Sequence, residues 1–232
     1  MAVPLVDPII CTVDVVLLTL RADILHTVLV KRDREPFKGV LALPGGYIHR
    51  HDDQDAFDAA TRVLRDKATI VSPYLEQLAT FSGPGRDPRG WSVAIAYYAL
   101  VPLAMLEASD PLIARLTLRP VDDLPALPFD HKSIIELAVA RVRLKSQYSS
   151  LPVYLCDERF TLPQLQAFYE AVLGEPINKV SFRRKMNELN MLEPIEGAFE
   201  SGRANRPAQL YRLRKAFRRS LSVLERGINA GG

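Results

Sequence analysis

The chain has 232 residues, 48% hydrophobic and 25% charged, with a formal net charge of +3. That length suits one domain of ordinary size plus a second, smaller one, and the balanced composition excludes a disordered or fibrous chain. The apolar run from Ile9 to Leu20 is interrupted by Asp14 and too short for a bilayer, and no basic leader precedes it, so a cytoplasmic protein with no membrane contact is expected. Cys11 and Cys156 lie far apart and near no histidine cluster, the pattern of free thiols and not of a disulfide or metal site.

Charge is distributed unevenly. Up to Leu144 there are 16 Lys+Arg against 18 Asp+Glu, whereas from Lys145 onward there are 14 against 9. Between Lys179 and Arg226 the count is 12 against 5. A mildly acidic first region followed by a basic second one directs any polyanion to the C-terminal part.

In chain order, Cys11 to Leu20 and Leu25 to Lys31 are β-rich runs joined through Arg21-Ala22-Asp23-Ile24, which predicts a hairpin. A charged loop, Lys31-Arg32-Asp33-Arg34, follows, and Val40 to Leu43 leads into Gly45 and Gly46. These glycines allow a tight turn and close approach of backbone to a ligand. Asp55 is a good N-cap, with Asp58 approximating a capping box. Ala56, Ala59, Ala60, Val63, Leu64 and Ala68 then recur at helical spacing.

Leu75 to Ser82 and Ser92 to Val101 read as paired strands. Their connection carries Arg86-Asp87-Pro88-Arg89-Gly90-Trp91, two guanidinium groups suited to phosphate and an indole suited to stacking on adenine. Phe129-Asp130-His131 opens a helix to about Leu144, with His131 read as a helix-start or packing residue.

Farther on, Thr161 is the N-cap of a helix with Pro163 in its first turn and Gly174 as C-cap. A second helix spans Ser181 to Leu189, with Phe182, Met186 and Leu189 inward and Arg183, Arg184, Lys185 and Asn187 outward. Extended stretches at Leu192 to Ala198 and Gln209 to Leu213 flank a loop holding Arg203 and Arg206. Helix, turn, helix and a basic hairpin in that order are the pattern of a winged helix-turn-helix. Its second helix suits a major groove and its hairpin tip a minor groove or backbone.

Leu43 to Ile70 resembles a Nudix box, whose intact form runs G-x5-E-x7-R-E-U-x-E-E-x-G-U, with U a bulky aliphatic residue. Its helical glutamates hold Mg²⁺ against a pyrophosphate. With Arg62 and Leu64 in register, the three helical glutamate positions are Val63, Asp66 and Lys67, and the later glycine is Thr69. The Gly46 to Arg62 interval is two residues longer than the motif. The Arg86 to Gly90 stretch is similar to that of ADP-ribose-handling Nudix proteins. Taken with the C-terminal pattern, the chain resembles the Nudix-related transcriptional regulators of NAD metabolism.

That resemblance implies an α+β fold: an α/β/α Nudix sandwich with a mixed sheet (residues 1–144), a linker (145–158) and a winged helix-turn-helix domain (159–232). It implies a dimeric repressor of NAD biosynthesis or salvage genes, released from palindromic double-stranded DNA by ADP-ribose, NAD or a related derivative. No cofactor is required in this reading and no metal site is assigned, because Val63, Asp66 and Lys67 are a degenerate set with no catalytic residue among them. Arg32, Gly45, Gly46, Arg62, Arg86, Arg89 and Trp91 are the candidate effector ligands. Lys179, Ser181, Arg183, Arg184, Lys185, Asn187, Arg203 and Arg206 are the candidate DNA contacts. The family's wing carries a compact Gly-Arg-Pro-Ala, which here is split by Ala204-Asn205. Two other readings stand beside this one. One is an active hydrolase of ADP-ribose or another nucleoside diphosphate derivative using Asp52, Asp53 and Asp66, and the other is a scaffold or sensor whose ligand is not a nucleotide, such as a sugar phosphate.

Overall fold

The structure is a computed structural model that describes residues 8–107, 116–200 and 207–217, with Leu221 and Ile228. The N-terminal part is built on a seven-stranded mixed sheet. Strands β1 (Ile10–Arg21) and β2 (Ile24–Lys31) form the expected hairpin. Its two turn residues, Ala22 and Asp23, both adopt positive φ, the geometry that matches strand twist. The central path runs β3-β2-β1-β6-β5, where β3 is Leu41–Ala42, β5 is Tyr74–Gly83 and β6 is Ser92–Leu100. β7 (Leu116–Pro120) adds to β2.

β1 changes neighbour along its length. Its C-terminal half pairs with β2, whereas Thr12, Val13 and Asp14 pair with β4 (Gly45–Tyr47). β1 and β6 run parallel and are both central, so β1 is buried on both faces, which is why Val15 to Leu18 reads as continuous apolar sequence. Val13, Val15 and Leu17 face the helix α1 (Ala56–Ala68), and Val16, Leu18 and Leu20 face the opposite side with α3 (His131–Ser146). The layers are therefore helix, sheet, helix, and a short α2 (Leu103–Glu107) follows β6.

Helix α1 starts where expected. The Asp55 side chain accepts from the Asp58 amide at 2.9 Å, while Asp58 accepts from Gln54 and not from Asp55, so the capping box is not closed. At the other end Thr69 takes the left-handed cap conformation with φ of 56°, which glycine adopts without strain.

Residues 145–158, read in the sequence as a linker, include a 3-10 helix (Leu151–Leu155) that is buried throughout. It leads into β8 (Phe160–Thr161), α4 (Leu162–Leu173), α5 (Lys179–Leu189), β9 (Leu192–Glu200) and β10 (Ala208–Leu213). Thr161 and Gln164 form a closed capping box on α4, and Gly174 ends it in the left-handed conformation. Strands β8, β10 and β9 make a small antiparallel sheet, so helix, helix and hairpin follow in the order expected for a winged helix. One continuous apolar core joins the α3 face of the large sheet to α4 and α5. Among the described residues no helix is long and apolar enough to cross a membrane, and both cysteines are free.

Candidate effector cavity and recognition helix

A cavity of about 430 Å³ opens between α1, β4, the loop after β2 and the loop between β5 and β6. Six cationic side chains line it: Arg32, Arg34, Arg62, Lys67, Arg86 and Arg89. Three of them are already paired. Arg62 donates from Nε to Asp53 Oδ1 at 2.7 Å and from NH2 to Asp53 Oδ2 at 2.8 Å, and also reaches the Tyr47 carbonyl at 2.9 Å. The hydrogen bonds from Arg62 hold the Asp53 carboxyl down at about 2. Arg89 is held by Asp87 at 2.6 Å and also donates to the Tyr47 hydroxyl.

Arg86 is the most enclosed of the three. It donates to both carboxylate oxygens of Asp130, at 2.9 and 2.7 Å, and to Ser92 Oγ at 3.1 Å. Its NH2 lies 3.7 Å from Asp14 Oδ2. The guanidinium is 8% exposed, so it organises the cavity wall by tying the β5–β6 loop to the start of α3.

The other three cations have no carboxylate within ion-pair distance among the described residues. Arg32 donates to the Pro36 carbonyl at 2.8 Å and lies 4.9 Å above the Phe129 ring, which is packed edge-on against Phe37. Arg34 is exposed. Lys67 stands on the last turn of α1 at the cavity's mouth. Desolvation by the surrounding protein lowers its pKa, while Asp33 and Asp14 act in the opposite sense and outweigh the repulsion from Arg32 and Arg34. One turn earlier, Val63 is buried with its Cγ2 against Gly46. Asp66 pairs with Arg65 at 3.1 Å.

Sequence reasoning missed several residues of this site. Asp14, noted only as a break in an apolar run, is a 7% exposed carboxylate in the cavity wall. A charge inside a doubly buried strand is the signal that could have found it. Gly45 is required by this same carboxylate: a Cβ there would lie 2.1 Å from Asp14 Oδ1 and 2.9 Å from the Val13 carbonyl. Gly45 and Gly46 thus belong to a strand closely packed on β1, not to the tight turn expected of them. His131 is 3% exposed and accepts from the Leu43 amide through Nδ1 at 3.0 Å. Its Nε2 therefore carries the proton, toward Asp14 Oδ1 at 3.7 Å. Desolvation lowers its pKa, so the ring is a neutral packing residue, as the sequence reading had it. Trp91, expected to stack on the base, is not in the cavity lining and is 45% exposed; its carbonyl accepts from the Ile10 amide at the start of β1. Tyr47 and Phe129 are the aromatic rings that line the cavity.

In the C-terminal part, Asn178 caps α5 by accepting from Val180 and Ser181. Lys179, Arg183, Arg184 and Asn187 are exposed and Ser181 is half-buried. Lys185 departs from expectation: it is 3% exposed. It follows Phe182 by three residues and precedes Leu189 by four, which places it on the inward stripe. Arg203 and Arg206 lie outside the described residues.

Residues 152–213 match the model of the NrtR DNA-binding winged helix domain. The ADPR responsive transcriptional repressor NtrR of Acinetobacter baylyi is 38% identical over 205 residues, covering 87% of this chain and 81% of that one. The chain belongs to the NrtR family. The crystal structure of Shewanella oneidensis NrtR with a 27mer DNA superposes with a TM-score of 0.86 at 37% identity, over 94% of this chain and 98% of that chain. The Nudix domain of the same Shewanella protein, complexed with ADP ribose, matches 59% of this chain and 90% of that chain, with 34% identity and a TM-score of 0.52. The family match begins at residue 152, inside the buried 3-10 helix.

Proposed function

We propose that this NrtR-family chain is a repressor of NAD biosynthesis or salvage genes that binds ADP-ribose or a related NAD derivative in the cavity and operator DNA through α5. The observation that carries the reading is a juxtaposition along α3. His131, at its start, lines a cavity with three unpaired cations, and α4, against which α3 packs, supports a helix with outward Arg183 and Arg184. The relatives support both ligands: one is named for its response to ADPR, and the Shewanella structures hold DNA and ADP ribose.

In this reading Arg32, Arg34 and Lys67 meet the diphosphate, with Tyr47 and Phe129 near the base or sugars. Lys179, Arg183, Arg184 and Asn187 meet phosphates and base edges. A homodimer presents two such helices to successive major grooves, about 34 to 36 Å apart, and so reads a palindrome. Effector binding shifts the dimer toward a state whose helices fit the operator poorly.

The linkage between sites runs through packed groups. Arg86 and Asp130 fix the cavity end of α3. At its far end Lys145 donates to Glu76 at 2.6 Å, and Glu76 accepts from Tyr74. Tyr74 stacks on Tyr154 with ring centroids 5.0 Å apart, and Tyr154 donates to the Phe217 carbonyl just past β10. A displacement of α3 is thereby delivered to the base of the winged helix.

Hydrolase chemistry in this fold needs a divalent cation held by oxygen ligands, and the residues here do not fit one. Val63 offers no donor, Lys67 is a cation, Asp66 is paired with Arg65, and Asp53 with Arg62. No group of three His, Cys, Asp or Glu side chains among the described residues could hold a metal. The test is retention of a fluorescent fragment from the upstream region of its own operon, titrated with ADP-ribose and NAD with and without Mg²⁺. Tight binding released by the nucleotide, recovered intact, is expected. Absence of DNA binding together with Mg²⁺-dependent consumption of ADP-ribose would reverse the conclusion in favour of a hydrolase.

A further inference from the structure

We propose that Lys67, together with Arg32 and Arg34, binds the effector's diphosphate in the place that a divalent cation takes in hydrolases of this fold, so that effector recognition needs no metal. The inference rests on the reading of the cavity as a diphosphate site and adds how that charge is met. A diphosphate brings two negative charges, and each must be met by a cation or left in water. The obvious arginines are not free to do so: Arg62, Arg86 and Arg89 are each bonded to both oxygens of a carboxylate. Their charge is spent on Asp53, Asp130 and Asp87, which leaves Arg32, Arg34 and Lys67 as the lining cations with no carboxylate at ion-pair distance among the described residues.

Lys67 has the position for this role. It lies on the same helix face as Val63, one turn later. In the intact motif this face would point its carboxylates at a metal. Here Val63 is buried against Gly46 and offers no donor, and Lys67 lines the cavity together with Arg32 and Arg34. An ammonium group offers three donors from a flexible stem, enough to bridge oxygens of two adjacent phosphates. Substituting a fixed side-chain cation for a diffusible one removes any dependence of effector affinity on metal concentration.

The test is titration calorimetry of the full chain with ADP-ribose in EDTA and again in millimolar Mg²⁺. Affinities agreeing within about twofold in the two buffers are expected. Lys67→Ala should weaken binding by roughly tenfold or more, since a hydrogen bond to a charged group is at stake. Lys67→Arg, which keeps the charge, should recover most of the affinity. Circular dichroism melting of each variant at the wild-type temperature guards against a folding defect. Wild-type binding seen only with Mg²⁺, or an unchanged Kd in Lys67→Ala, would overturn the metal-free clamp while leaving ADP-ribose as the effector. Failure of ADP-ribose to bind in either buffer would instead remove the effector reading, and the clamp with it.

Discussion

Arginine and lysine side chains line both the cavity and the outer face of α5, yet they are used differently in the two. In the cavity, half of the lining cations are neutralised by carboxylates at fixed distances. On α5, Arg183 and Arg184 stand exposed with no carboxylate at ion-pair distance among the described residues. Under the proposed function the difference follows from the ligands. A small dinucleotide carries few charges, so half of the cations around it can serve to fix a wall. DNA is a dense polyanion whose binding comes largely from unneutralised cations displacing counterions.

The largest effect that could break this contrast is at α5. The double substitution Arg183→Ala and Arg184→Ala should reduce operator affinity by a hundredfold or more, at about 1–3 kcal/mol per contact. Calorimetry with ADP-ribose should give the wild-type Kd for the same variant. Equal retention of the operator fragment in a gel would show that another surface meets DNA.

Next in size is Arg86→Ala. Removing this enclosed guanidinium leaves Asp130 without its bidentate partner and Asp14 with His131 alone, at a cost of about 3 kcal/mol. The melting temperature should fall by several degrees. A loss confined to ADP-ribose affinity, with melting unchanged, would mean that Arg86 is a ligand-binding residue and not part of the wall.

A smaller effect separates the wall from solvent through pH. Burial holds the His131 pKa below its ordinary value of 6.5, so the unfolded chain takes up a proton before the folded one does. The stability it contributes is complete above about pH 6.5 and is lost progressively as pH falls below that value toward the folded pKa. Chemical denaturation across this window should show a decline that is reduced in His131→Gln. An identical slope in the variant would assign the effect to other groups.

The smallest expected change concerns the helix that carries Lys67. Thr69 holds a left-handed conformation unfavourable for a β-branched residue. Thr69→Gly should therefore stabilise the protein by about 1 kcal/mol, visible as a higher denaturant midpoint. A lower midpoint would mean that the Thr69 side chain contributes more than its backbone costs.

Much of this molecule was legible in order along the chain. Alternation and apolar runs marked β1, β2, β5 and β6 to within one or two residues, and Asp55, Thr161 and Gly174 marked helix ends. These features depend on residues a few positions apart, where periodicity and capping act. The winged-helix pattern was readable for the same reason. Lys185 is a case where local spacing held the answer but charge misled: its place between Phe182 and Leu189 puts it on the buried stripe, and the aliphatic stem of lysine tolerates that position.

What only the tertiary structure decided is which of the arginines is occupied. Arg86 meets Asp130 across 44 positions of sequence, and Leu43 meets His131 across 88. Gly45 is needed because β4 pairs with β1 at Asp14, a neighbour that no local pattern announces. The sequence by itself determined the elements, their order and the family resemblance, because those arise from short-range steric and hydrophobic preferences repeated along each segment. The cavity, its paired and unpaired cations and the burial of residues 151–155 arise from chain segments brought together only when the sheet closes and the core forms.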